Sequence, residues 1–146
     1  MEKNRNNAVL DEYFFERDTL VVAKNLLGKH IVRRQMDSLL SLRITEVEAY
    51  DGFEDQASHA RFGRTPRSEI MFGPPGYLYV YLIYGIHWMV NIVTREVDYP
   101  AAILIRGTEE VQGPGRIGKH LAIDETLNNK KAVPENGLWF EDHGLA

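Results

Sequence analysis

The chain has 146 residues, 44% hydrophobic and 26% charged, which suits one domain around a single core. It contains no cysteine, which excludes a disulfide framework, a thiol nucleophile and a cysteine zinc site and fits a cytoplasmic protein. No apolar run reaches membrane-spanning length, the opening stretch MEKNRNNAVLDEYFFERD is too polar for a signal peptide, and the net charge of −4 argues mildly against a nucleic-acid partner.

The charge is unevenly spread. Residues 17–43 carry Arg17, Lys24, Lys29, Arg33, Arg34 and Arg43 against Asp18 and Asp37, and residues 56–95 carry Arg61, Arg64, Arg67 and Arg95 against Glu69. A basic face on an acidic protein and an evenly mixed surface are equally compatible with this.

Residues 1–17 read as a loose N-terminal arm, with a short turn at Tyr13-Phe14-Phe15. Residues 19–27 read as a helix, capped by Asp18 or Thr19, with Leu20, Ala23 and Leu27 on its inner face and Gly28 as its stop. Residues 30–34 and 42–50 form a hairpin around Asp37-Ser38. Strict alternation along the second strand puts Leu42, Ile44, Glu46, Glu48 and Tyr50 on one face. Two carboxylates beside isoleucine and tyrosine suit a site better than a core, because an acid in a partly apolar pocket can serve as a general base. The competing reading is an edge strand with its acids in water, and for Glu48 the two are evenly matched.

Residues 51–64 form a loop holding His59, which has no second histidine at ligand spacing, so a metal site is not expected. Thr65-Pro66 is a helix start flanked by Arg61, Arg64 and Arg67, a setting that suits a phosphate. The turn Gly73-Pro74-Pro75-Gly76 leads into YLYVYLIYGIHWMVN (77–91), two strands joined at Tyr84-Gly85. Tyr77, Tyr79, Tyr81 and Ile83 share one face of the first strand, and Leu78, Val80, Leu82 and Tyr84 the other. Rows of tyrosines are common in half-buried sheets, but an aromatic side chain on a turn tip is costly unless something binds it. Residues 101–106 give another strand ending in Arg106. Gly113-Pro114-Gly115 precedes a helix over 116–123, where Arg116 and Lys119 offer a weak phosphate signal. The remainder is polar apart from Leu138-Trp139-Phe140.

Taken together, TEVEAY, SHARFGRTPR, MFGPPG and YLYVYLIYG closely resemble the alkyladenine (3-methyladenine) DNA glycosylase family, and the match runs over about 20–124. The resemblance implies an α+β fold: one domain over 18–146 with a curved, largely antiparallel, open-barrel-like sheet and a few short helices. It implies a monofunctional glycosylase that flips an alkylated or deaminated purine out of duplex DNA and hydrolyses its glycosidic bond, with no cofactor and no metal. By the same resemblance Glu48 activates the water and Arg106 helps place it or the phosphate. Tyr50, His59 and Tyr81 line the base pocket, and Asn91 disfavours the exocyclic amine of guanine. Tyr84 is the wedge, Ile86 and His87 touch the minor groove, and Arg64, Thr65 and Arg67 flank the DNA surface. The implied partner is double-stranded DNA bearing damaged purines, met by a monomer. Two features depart from the family: the chain stops several tens of residues early, and His87 stands where an aromatic ring is usual. The alternatives are a catalytically impaired relative that only binds damaged DNA and, far behind, a sugar hydrolase using Glu46 and Glu48.

Overall fold

A computed structural model describes residues 7–55, 57, 58, 60 and 63–144. Its strands are β1 (Ala8–Val9), β2 (His30–Gln35), β3 (Ser38–Asp51), β4 (Leu78–Ile83), β5 (His87–Val93), β6 (Ala101–Thr108) and β7 (Leu138–Asp142). The helices are α1 (Glu12–Phe15), α2 (Thr19–Leu26) and α3 (Pro114–His120), joined by short 3-10 turns at Glu69–Phe72, Glu125–Leu127 and Pro134–Asn136. The strands make one antiparallel sheet in the order β1-β7-β2-β3-β6-β5-β4. With β1 and β4 as its two edges, the sheet does not close into a barrel. The α+β class expected from the sequence is the one observed. No helix among the described residues is long and apolar enough to cross a membrane.

The sheet buries both faces. On one side Ile31, Leu42, Ile44, Val80, Val90, Ile92, Ile103 and Ile105 pack with Phe15, Val22, Leu26, Ile117 and Leu121 from the helices. On the other a smaller cluster joins Tyr79, Val93 and Ala102 to Ala60, Met71 and Phe72, with Tyr50, Tyr77 and Tyr81 against it. Residues 101–105 of β6 are buried throughout, as expected of a central strand covered on both sides.

Several expectations are corrected. The arm is packed from Ala8 onward: β1 pairs with β7, Asp11 caps α1, and Phe15 is buried. In α2 the inner stripe is Thr19, Val22, Ala23 and Leu26, while Leu20 and Leu27 are exposed. Spacing of three, four and seven from Thr19 defines that stripe, and the buried Thr19 hydroxyl meets that of Thr94 at 3.1 Å. Thr65-Pro66 opens a turn into the 3-10 segment, not an α-helix. The apolar piece near the C-terminus is strand β7, which fills the place beside β2.

The basic stretch 17–43 does not present a common cationic face. The buried Arg33 donates to the carbonyls of Leu121, Ala122 and Gly137 at 2.8, 3.1 and 3.2 Å, tying the end of α3 to the turn before β7. Arg34 lies over the Trp139 ring, and Arg43 is paired with Glu109 at 2.9 Å.

Candidate active site

Alternation along β3 is broken in the middle. Ile44 opposes Thr108, Glu46 opposes Gly107 and Val47 opposes Ile105, so Thr45 is an extra residue on β3 and Arg106 an extra residue on β6. The pair of bulges cancels in register but not in facing. Leu42 and Ile44 enter the main core, as does Val47. Glu46, Glu48 and Tyr50 therefore lie on the opposite face, which corrects the expectation that all five residues from Leu42 to Tyr50 share one side.

Across that face, Glu48, Leu104, Asn91 and Tyr79 are register partners in a single row. Tyr50, Ala102 and Val93 make the next row, and Met89 pairs with Tyr81 on the other side. Tyr50 on β3 and Tyr81 on β4 are separated by β6 and β5, and their rows lie four residues apart along the strands. Ala102 on β6, directly beside Tyr50, is small enough to leave room for the rings to lean inward. Tyr81 is close enough to Tyr50 to raise the cost of ionising it.

The bulge aims Arg106 at Glu48. The Arg106 Nη1 donates to Glu48 Oε1 at 3.0 Å, and the pair is partly open to solvent. Glu48 thus sits beside a guanidinium, not in the partly apolar pocket the sequence suggested. The loop after β6 clamps the bulge: Gly113 N donates to the Arg106 carbonyl at 2.9 Å, and the Thr108 hydroxyl and the Val111 backbone bond each other. A Cβ at Gly107 would lie 2.5 Å from Glu46 Oε1 and 2.9 Å from Gln112 Oε1, so those two side-chain ends would have to move aside.

The Glu48–Arg106 pair stands between two unlike spaces. On one side is a solvent cleft of about 500 Å³ lined by Leu27, Thr45, Glu46, Val47, Glu48 and Arg106. On the other, Tyr50, Ala57, Met71, Tyr79, Tyr81 and Asn91 enclose about 10 Å³, room for about one water. Burial pushes the phenols up: Tyr79 to about 12, and Tyr50 further, where Tyr81 and the Glu48 carboxylate add to the effect. Burial raises Tyr81 as well, against a hydrogen bond from Asn91. All three rings are neutral donors at neutral pH. Asn91 is fully buried; its amide nitrogen donates to the Tyr79 carbonyl at 3.1 Å, and its side-chain oxygen has no hydrogen-bond partner among the described residues.

The remaining candidates form a rim. Tyr84, at the tip of the β4–β5 hairpin, is 88% exposed with φ of 54°, and Gly85 follows at 70°. Two successive left-handed residues give the turn its sharp reversal, but the first is an aromatic residue that disfavours that conformation. Ile86 beside it is also exposed. His87 packs over Gly115 at the start of α3, where a Cβ would come within 2.9 Å of its ring, beside a cleft of about 300 Å³. Arg64 is held by Glu69 at 2.9 Å and by Asp98 and lies over Phe72. The Thr65 hydroxyl and amide bond Ser68, so this residue shapes the turn. Arg67 lies over Tyr81, its Cζ 5.0 Å from the ring centroid. His59 falls outside the described residues.

Glu48, Arg106, Tyr50, Tyr81 and Asn91 thus converge on one sheet face. Arg64 is instead engaged by Glu69 and Asp98, and Thr65 by Ser68. Sequence reasoning missed Met71 and Tyr79 as pocket walls; the tyrosine row was the signal for Tyr79. No group of His, Asp or Glu among the described residues is placed to hold a metal ion.

The family model of methylpurine-DNA glycosylase (MPG) matches residues 13–113. A protein of Anaeromyxobacter dehalogenans strain 2CP-1 is 44% identical over 140 residues, covering 91% of this chain and 67% of its own length. One from Legionella pneumophila strain Lens is 43% identical over 138 residues, covering 90% and 75%, and one from Methanocella arvoryzae is 40% identical over 154 residues, covering 92% and 77%. All three are named as candidate 3-methyladenine DNA glycosylases. Identity at this level over nine-tenths of the chain, with the matched span running from α1 past Arg106, means that the chain belongs to the methylpurine-DNA glycosylase family.

Proposed function

We propose that this protein excises alkylated purines from duplex DNA by hydrolysing the N-glycosidic bond, with Glu48 as the base that activates water. The observation that carries the reading is the placement of the Glu48–Arg106 pair at the seam between an aromatic pocket and a solvent cleft. A flipped base enters the side walled by Tyr50, Tyr81 and Asn91, and water approaches from the cleft. The sugar C1′ lies between them. Glu48 accepts a proton from the water as its oxygen bonds to C1′. The C1′–N bond breaks, its electron pair leaves with the base, and a purine already positive through alkylation departs neutral. Arg106 orients the water and the adjacent phosphate, and Glu48 also steadies positive charge developing on the sugar.

Tyr84 fills the space that the flipped nucleotide leaves in the stack, with Ile86 beside it in the minor groove. His59 completes the base pocket by family resemblance. The Asn91 amide NH2 uses one hydrogen on the Tyr79 carbonyl and directs the other toward Tyr81, so it offers the pocket a donor that opposes the exocyclic amine of guanine. Every group in this scheme comes from one chain, so a monomer suffices, and no cofactor is needed.

The test is single-turnover excision from a duplex carrying one alkylated purine, with wild type beside Glu48→Gln. Abasic product from wild type and a loss of at least about a hundredfold in the variant is expected. Tight lesion binding without product from either would leave a recognition module in place of an enzyme.

A further inference from the structure

We infer that Arg67 is an internal competitor for stacking on Tyr81: its guanidinium lies over that ring in the free protein, and a cationic purine enters by displacing it. The inference rests on the reading of this site as a base pocket. Arg67 and Arg64 leave the same loop but have different partners. Arg64 is neutralised by Glu69 and Asp98. Arg67 is exposed and has no carboxylate partner among the described residues. Its contacts are aromatic: the Tyr81 ring at 5.0 Å, with the Tyr79 hydroxyl within hydrogen-bonding range. The space beneath these rings is about 10 Å³, too small for a purine, so something must move before a base can stack.

A flat cation over an electron-rich ring is the interaction an alkylated purine would make in the same place. Two cations cannot share one ring without repulsion, and the guanidinium must leave when the base is charged. A neutral base meets the steric obstacle but not the electrostatic one. Arg67 therefore sets how strongly the pocket separates charged from neutral purines. In the complex the released guanidinium has the DNA phosphates to pair with.

Small purines without phosphate isolate this role from any backbone contact. Binding of 3,9-dimethyladeninium, a permanent cation, and of neutral 9-methyladenine is measured by NMR titration of wild type, Arg67→Met and Arg67→Lys. Arg67→Met is expected to bind the cation about two- to fivefold more tightly than wild type. The neutral purine should gain less than the cation, and Arg67→Lys should stay close to wild type. Equal gains for both purines, or no gain for the cation, would overturn the inference. Wild-type excision from a lesion duplex is run alongside. Excision with no difference between the probes rejects this inference alone; no excision rejects the enzymatic reading, and the probes still decide what covers Tyr81.

Discussion

Replacing Tyr84 with glycine should make the protein more stable and less active at once. The side chain is 88% exposed, so its removal gives up almost no burial. Its backbone, at φ 54°, is in the left-handed region, which costs a residue with a Cβ about 1–2 kcal/mol. Glycine removes that cost but returns about 0.5–1 kcal/mol through its greater freedom when unfolded. The net is a stabilisation of about 0.5–1 kcal/mol, or a rise in Tm of about 2–3 °C for a chain of this size. Tyr84→Ala keeps the Cβ and the strain, so its Tm should stay within about 1 °C of wild type. Both variants lack the ring, and duplex excision should fall by at least about tenfold in each, since flipping costs a few kcal/mol and the wedge offsets part of it. Calorimetry and single-turnover excision on the same preparations check both halves. A Tyr84→Gly variant destabilised by about 1 kcal/mol or more would show that packing holds the ring. Undiminished excision would remove its role as a wedge.

Gly107→Ala should cost less than about 1 kcal/mol in urea unfolding and slow excision, because its Cβ pushes aside the Glu46 and Gln112 side chains next to the bulge that aims Arg106; adding Glu46→Ala should recover part of the rate. Arg33→Met strands three carbonyls that now share one guanidinium, and should lower stability by about 2–4 kcal/mol in the same assay. His30 is stacked on His143 with ring centroids 3.6 Å apart, and its pKa is lowered by burial and then by that neighbour, with Arg43 adding to the shift and Glu110 and Glu141 opposing it. Its unfolded-state value is the higher one, so its contribution is fully present above about pH 6.5 and is lost as pH falls from there through the folded value. Thermal unfolding followed from pH 7.5 to 5 should show that loss, and His30→Phe should flatten it.

The sequence was most legible where one local rule decides the outcome. The apolar run with one glycine near its middle gave the β4–β5 hairpin and the alternation of Tyr77, Tyr79 and Tyr81 with Leu78 and Val80, because side-chain facing in an unbroken strand has no freedom beyond its parity. Asp18 as the cap of α2 was equally readable, since its side chain accepts from Val21 N at 3.3 Å. The inner face of α2 was not. Leu20 and Leu27 are larger than Thr19 and Ala23, and hydrophobicity alone favours them. The winning stripe is set by where the helix lands on β3, a tertiary fact that no local pattern contains. β7 was illegible for a related reason, because Leu138, Trp139 and Phe140 have no partner within reach in sequence and pair with β2 more than 100 positions earlier.

The bulges show why site chemistry was harder to read than site composition. Glu48, Arg106, Tyr50, Tyr81 and Asn91 were all identifiable, but strict alternation on β3 set Glu48 beside Ile44 and so in an apolar setting. One extra residue on each of two paired strands reverses that. The apolar half of β3 turns into the core, the acidic half turns to the opposite face, and the residue displaced on β6 is the arginine that meets the acid. Had either bulge been absent, Glu46 and Glu48 would be driven toward Ile103 and Ile105, where unpaired carboxylates are not tolerated. The second bulge restores register, so β5 and β4 keep Asn91 and Tyr79 in the same row as Glu48. Core and site are thus built from one continuous strand, and the paired bulges at Thr45 and Arg106 make the change from one to the other.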